Sequence, residues 1–134
     1  MSMTITLLNS QDGLNEQLSI GGSYAGVLVA GNGSQVLTIT NDGSASTNTM
    51  RNVLDDLIYK DLAANPNTVV QRQVSVQVTD AIGQISNAPI AFFNVTKAAK
   101  SGNTPGPLIV FTTGFTVDLF TGLDGSQDLG GTWV

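Results

Sequence analysis

MRNVLDDLIYKDLAANPNTVVQRQVSVQVTDAIGQIS, running from Met50 to Ser86, decides the fold, because its hydrophobic period changes partway along. Met50, Val53, Leu54, Leu57 and Ile58 fall at i, i+3, i+4, i+7 and i+8, the apolar stripe of a short helix. From Val69 the period drops to two. Val70, Arg72, Val74, Val76 and Val78 alternate with Gln71, Gln73, Ser75, Gln77 and Thr79, which predicts a long strand with one buried face. Asp80-Ala81-Ile82-Gly83 supplies turn residues, and Ile85 to Thr96 then reads as the returning strand of a hairpin. Pro89 inside that return predicts an edge position or a bulge, since proline cannot donate to a ladder.

Upstream, strands are expected over Thr4–Leu8, Gln17–Ile20, Ala25–Ala30 and Gln35–Thr40. Asp12-Gly13, Gly21-Gly22, Gly31-Asn32-Gly33 and Asn41-Asp42-Gly43 separate them, the third as a tight turn needing positive φ. Strands divided by turn signals at such short intervals point to a sandwich or a barrel. Ser46-Thr47-Asn48-Thr49 offers an N-cap for the helix, with Asp56 and Lys60 four apart on its outer side. A helix this short is unstable alone, so its stripe must lie on the sheet, bridging the two halves of the domain.

Composition narrows the function. Charged residues make up 11% of the chain and the net charge is −5, which argues against nucleic acid because phosphate binding needs a basic surface. Without histidine or cysteine there is no imidazole or thiolate chemistry, no ordinary zinc site and no disulfide. No run approaches the ~20 apolar residues that span a bilayer, so no membrane insertion is expected. Asp55 and Asp56 diverge by about 100° on a helix, which reads as solvated surface and not as an acid–base pair. Asp12, Glu16, Asp42 and Asp80 read as turn residues whose carboxylates bond local backbone. The expectation is a chain that is not an enzyme.

Lys97 to Pro107 has the composition of a linker, and the apolar residues from Leu108 to Phe120 begin something new. The opening Met1-Ser2-Met3-Thr4 lacks a basic-then-apolar leader, and Gly130-Gly131-Thr132-Trp133-Val134 breaks off as an apolar run begins. The chain is therefore expected to be a piece of a longer protein. Its expected division is a first domain at 1–97, a linker at 98–107 and an incomplete second module at 108–134.

Two stretches carry a family resemblance. Leu54, Ile58, Tyr59, Asn65-Pro66, Arg72, Val74, Val76, Val78, Asp80, Gly83 and Ser86 together resemble the bacterial cadherin-like repeats of large cell-surface adhesins. Val117-Asp118-Leu119-Phe120 with Gly130-Gly131-Thr132-Trp133 is similar to repeat openings in giant Bacteroidetes surface proteins, gliding-motility adhesins among them. The resemblance implies an all-β fold, an immunoglobulin- or cadherin-like Greek-key β-sandwich with one short helix. It implies a structural or adhesive repeat on the outside of a bacterial cell. Its partners would be neighbouring repeats of the same protein, with surface glycans or other surface proteins as ligands. A carbohydrate-binding accessory module of a secreted enzyme is the alternative. Calcium-holding members place acids at the end of the last strand and in the linker, where this chain has Lys97 and Lys100. Calcium is accordingly expected to be weak or absent, with Glu16 and Asp80 as the metal positions the family would use.

Overall fold

The computed structural model describes residues 1–96, and the expected linker and second module lie outside them. Seven strands and one helix run in the order β1 (Ser2–Leu7), β2 (Glu16–Ile20), β3 (Val27–Ala30), β4 (Val36–Asn41), α1 (Thr47–Asp55), β5 (Leu57–Asp61), β6 (Arg72–Thr79) and β7 (Ile90–Phe93). A 3-10 turn, Gly13–Asn15, precedes β2. One antiparallel sheet has the order β3-β4-β1-β6-β7, and β2 with β5 forms a second, two-stranded antiparallel sheet. Among the described residues no helix is long and apolar enough to cross a membrane.

Alternation decides which faces meet. Met3, Ile5 and Leu7 of β1 are buried, as are Leu37 and Ile39 of β4 and Val74, Val76 and Val78 of β6. They join Leu18, Ile20, Leu57 and Tyr59 of the small sheet and Met50, Val53 and Leu54 of α1 in one hydrophobic cluster. Burying each such side chain contributes about 1.5–3 kcal/mol, so a single shared core holds both sheets and the helix together. The opposite face of the large sheet carries Ser2, Thr4, Thr6, Thr38 and Thr40, alternating with the buried set as the period-two pattern requires.

Three local expectations change. The predicted stripe extends the helix through Leu57 and Ile58, but α1 ends at Asp55 and both residues begin β5. Leu57 is inward under either period, so periodicity alone does not separate the two readings there. Five register pairs from Glu16↔Asp61 to Ile20↔Leu57 favour the strand, and carboxylates at Asp55 and Asp56 oppose the negative C-terminal end of a helix. Lys60 consequently sits on β5, and no helical Asp56–Lys60 pair forms. The hairpin return is also shorter than expected. Residues 85–89 make one isolated bridge, Thr79↔Ile85, before β7 pairs with β6 at the end of the sheet order, so Pro89 lies beside an edge strand.

Other signals hold as read. Gly31 and Gly33 have φ of 91° and 82°, which L side chains rarely adopt, and they turn the chain between β3 and β4. Ser46 caps α1, its hydroxyl accepting from the Thr49 N–H at 3.1 Å. The helix follows β4 of the large sheet and precedes β5 of the small one, and its stripe residues Met50, Val53 and Leu54 lie in the common core.

Candidate functional site

The densest polar chemistry among the described residues is inside the domain. Glu16 opens β2 and Asp61 closes β5, and the register sets these two buried acids directly opposite each other. Like charges in that position repel, so the pair needs a cation. Arg72 supplies it from the first position of β6, on the same inward row as Val74, Val76 and Val78. Asp12 joins from the loop after β1, with its side chain only 15% exposed.

The guanidinium forks between them. Its Nε donates to Glu16 Oε2 at 2.9 Å, and Nη2 donates to Asp12 Oδ2 and to the Asn67 carbonyl, each at 3.0 Å. Nη1 donates to the Val70 carbonyl. Glu16 Oε1 accepts the N–H groups of Gln11 and Asp12, both at 2.7 Å, while Asp12 Oδ2 also accepts the Asn67 N–H at 2.7 Å. One side chain thus ties the loop before β2, β2 itself, β6 and the Asn67–Val70 segment. Burial, the largest single influence, would lower the Arg72 pKa, but the hydrogen bond and charge of Glu16 together with Tyr59 outweigh it and the net shift is upward.

Asp61 is less well served. Its Oδ1 accepts the Ala63 N–H at 2.9 Å, but Oδ2 stands 3.8 Å from Arg72 Nη2 and makes no hydrogen bond. Burial raises its pKa most, with the Asp12 and Glu16 charges adding to that rise against the Ala63 N–H. The Tyr59 hydroxyl is buried beside Glu16 and Arg72 without a well-formed hydrogen bond, and burial and Glu16 push its pKa up. The Tyr59 ring packs edge-on to Phe93, centroids 4.9 Å apart.

One oxygen from each of Asp12, Glu16 and Asp61 lies within 4.8 Å of the others, a spacing that could hold a metal ion. The donor set does not fit calcium. That ion takes six to eight oxygens, whereas both Glu16 oxygens and Asp12 Oδ2 already accept N–H donors and Arg72 fills the cation's place. The expected calcium positions Glu16 and Asp80 do not come together, because they sit at opposite ends of β6. Glu16 binds Arg72 at the first residue of the strand, and Asp80 follows its last, roughly 25 Å away at strand rise. Asp80 acts as a turn residue as read, its Oδ1 accepting from the Ile82 and Gln84 N–H groups. Glu16 bonds local backbone as read, its Oε1 accepting from the Gln11 and Asp12 N–H groups, and adds Arg72 through Oε2, whereas Asp12 Oδ2 accepts from Arg72 and the distant Asn67 N–H. Adding a calcium chelator is expected to leave the melting temperature unchanged. A tightly bound ion at a hundredfold excess would add about 2.7 kcal/mol, so a clear drop on chelation would contradict this.

A second place merits description. Gly21, Asp55, Asp56 and Ile58 line a shallow groove of about 280 Å³ at the C-terminal end of α1. The Tyr24 hydroxyl donates to Asp56 Oδ2, and burial together with that carboxylate raises its pKa to about 12. Asp55 is exposed and Asp56 is held by Tyr24, so the two carboxylates do not converge on one point. A Cβ at Gly22 would stand 2.5 Å from Asp56 Oδ2, so glycine there allows the loop to meet the helix end. No protein-family model, curated protein or solved structure matches the chain.

Proposed function

We propose that residues 1–96 form a non-catalytic structural or adhesive repeat module of a large bacterial cell-surface protein, built as an immunoglobulin- or cadherin-like Greek-key sandwich. The observation that carries this reading is the use made of Arg72. The buried ionic cluster around Arg72 ties strands and loops to each other, its charged groups facing one another inside the domain. Enzymes hold acid–base groups where substrate reaches them, whereas a load-bearing module needs its loops tied to its strands.

Several residues behind the family resemblance support the same reading through the structural tasks they have. Tyr59 packs on Phe93, Pro66 is buried in the loop after β5, and Arg72 clasps three acids. Asp80 and Gly83, the latter at φ 86°, make the turn after β6. Repetition of such modules would give a surface filament whose neighbouring repeats are its first partners.

A carbohydrate-binding module is the rival, favoured by the groove beside Asp55, where a carboxylate could accept from sugar hydroxyls. The deciding experiment is a binding screen of the full chain against immobilised bacterial and host glycans. A structural repeat gives no glycan-specific binding. Micromolar binding that disappears in Asp55→Ala would overturn a purely structural role and favour a glycan-binding one.

A further inference from the structure

The Arg72 cluster is short of positive charge. Three carboxylates, of Asp12, Glu16 and Asp61, surround one guanidinium, so full ionisation leaves two negative charges in excess inside the domain. The guanidinium is also short of hydrogens where Asp61 needs one. Nη2 carries two, and they go to Asp12 Oδ2 and the Asn67 carbonyl. Asp61 Oδ2 is left without an N–H donor in a residue with no exposed surface.

We infer that the cluster holds one proton in addition to Arg72, seated on Asp61 Oδ2 and shared with the Asp12 carboxylate. The proton converts a buried acceptor with no donor into a hydroxyl that donates to Asp12, and it removes one of the two excess charges. Asp61 is the place for it because Glu16 is satisfied by Arg72 Nε and two backbone N–H groups, and Asp12 by Arg72 Nη2 and the Asn67 N–H. Tyr59, 1% exposed, brings its hydroxyl to the same cluster beside Glu16 and Arg72. The groups facing Asp61 are therefore Asp12 from the loop, Glu16 from β2, Tyr59 from its own strand and Arg72 from β6. Lys60, next in sequence, alternates to the outer side of β5. Burial and the neighbouring carboxylates, which raise the Asp61 pKa, act in the same direction.

The consequence is a pH-dependent clasp. A carboxyl whose folded pKa is raised contributes its stabilisation below the unfolded value and loses it as pH climbs through the folded value. The Asp61 contribution to the folded-to-unfolded ratio thus falls by up to tenfold per pH unit between about 3.9 and its own midpoint, then levels off.

The test uses the full chain. Carbon-detected NMR of the labelled protein, with chelator present, follows the Asp61 carboxyl carbon through a pH titration. The expected midpoint lies above the ordinary aspartate value of about 3.9, and a midpoint at or below it overturns the inference. Asp61→Asn adds an independent reading, because its amide can donate to Asp12 while its oxygen still accepts from Ala63. The melting temperature of Asp61→Asn relative to the unaltered protein is expected to rise across that pH window. A difference that is flat or falls with pH overturns the proton's role. If the variant does not fold, the titration of the unaltered chain still decides.

Discussion

Replacing Arg72 with methionine is expected to destabilise the domain by about 3–5 kcal/mol, the cost of leaving buried carboxylates without their cation. Small domains hold only about 5–15 kcal/mol in total, so this one side chain decides a large share of the folded population. The loss arises in the partners more than in Arg72 itself. Glu16 and Asp61 are both fully buried and face each other across the β2–β5 pair, and without the guanidinium the Glu16 charge is left buried and unpaired on a two-stranded sheet. Arg72→Lys is expected to recover only part of the loss, since one ammonium cannot span Glu16 Oε2, Asp12 Oδ2 and the Asn67 and Val70 carbonyls at once. Urea unfolding followed by circular dichroism measures both variants. A methionine variant within about 1 kcal/mol of the unaltered chain would remove the clasp from the account.

Leu57→Asp is expected to leave the domain unfolded. Leu57 is 1% exposed, pairs with Ile20 and belongs to the common core. Truncating a buried leucine to alanine costs about 2–5 kcal/mol, and a carboxylate adds the penalty of an unpaired buried charge. The neighbouring position makes a sharp control. A helix extended through this region would bury Ile58 with Leu57, whereas β5 turns Ile58 outward beside Lys60. Ile58→Thr, a substitution that suits a strand, is therefore expected to leave cooperative unfolding in place. Loss of folding in both variants would favour the helical assignment and contradict the strand.

The sheet scaffold was largely legible in the sequence, because period two and turn chemistry are local properties. Val74, Val76 and Val78 announce their buried face, and Gly31 and Gly33 their positive φ, without knowledge of any partner. The end of α1 was not legible. Leu57 is inward for a helix and for a strand alike, and the decision rests with β2, which lies nearly forty residues earlier. The cluster was hidden for the same reason. Arg72 stood in plain view on an apolar row, and a buried arginine demands carboxylates, but alternation does not name them. Asp12 and Glu16 lie far from it in sequence and resembled ordinary turn residues, and Asp61 fell just beyond the expected helix. Asp42 is a true turn residue by contrast, its carboxyl held below the usual range by the Ser44 hydroxyl and N–H. The usable signal was the inward register of Arg72, together with acids at strand positions where the alternation expected an apolar residue.

The central claim is that Arg72 and the buried acids form an internal tie, and a double-mutant cycle between Arg72 and Glu16 tests it most directly. Arg72→Met, Glu16→Gln and the double variant are unfolded in urea alongside the unaltered chain. With Nε and Oε2 at 2.9 Å in full burial, the double variant is expected to lose less than the sum of the single losses, by about 0.5–3 kcal/mol. Losses that add to within about 0.5 kcal/mol would show that the two side chains do not depend on each other, and would contradict the claim.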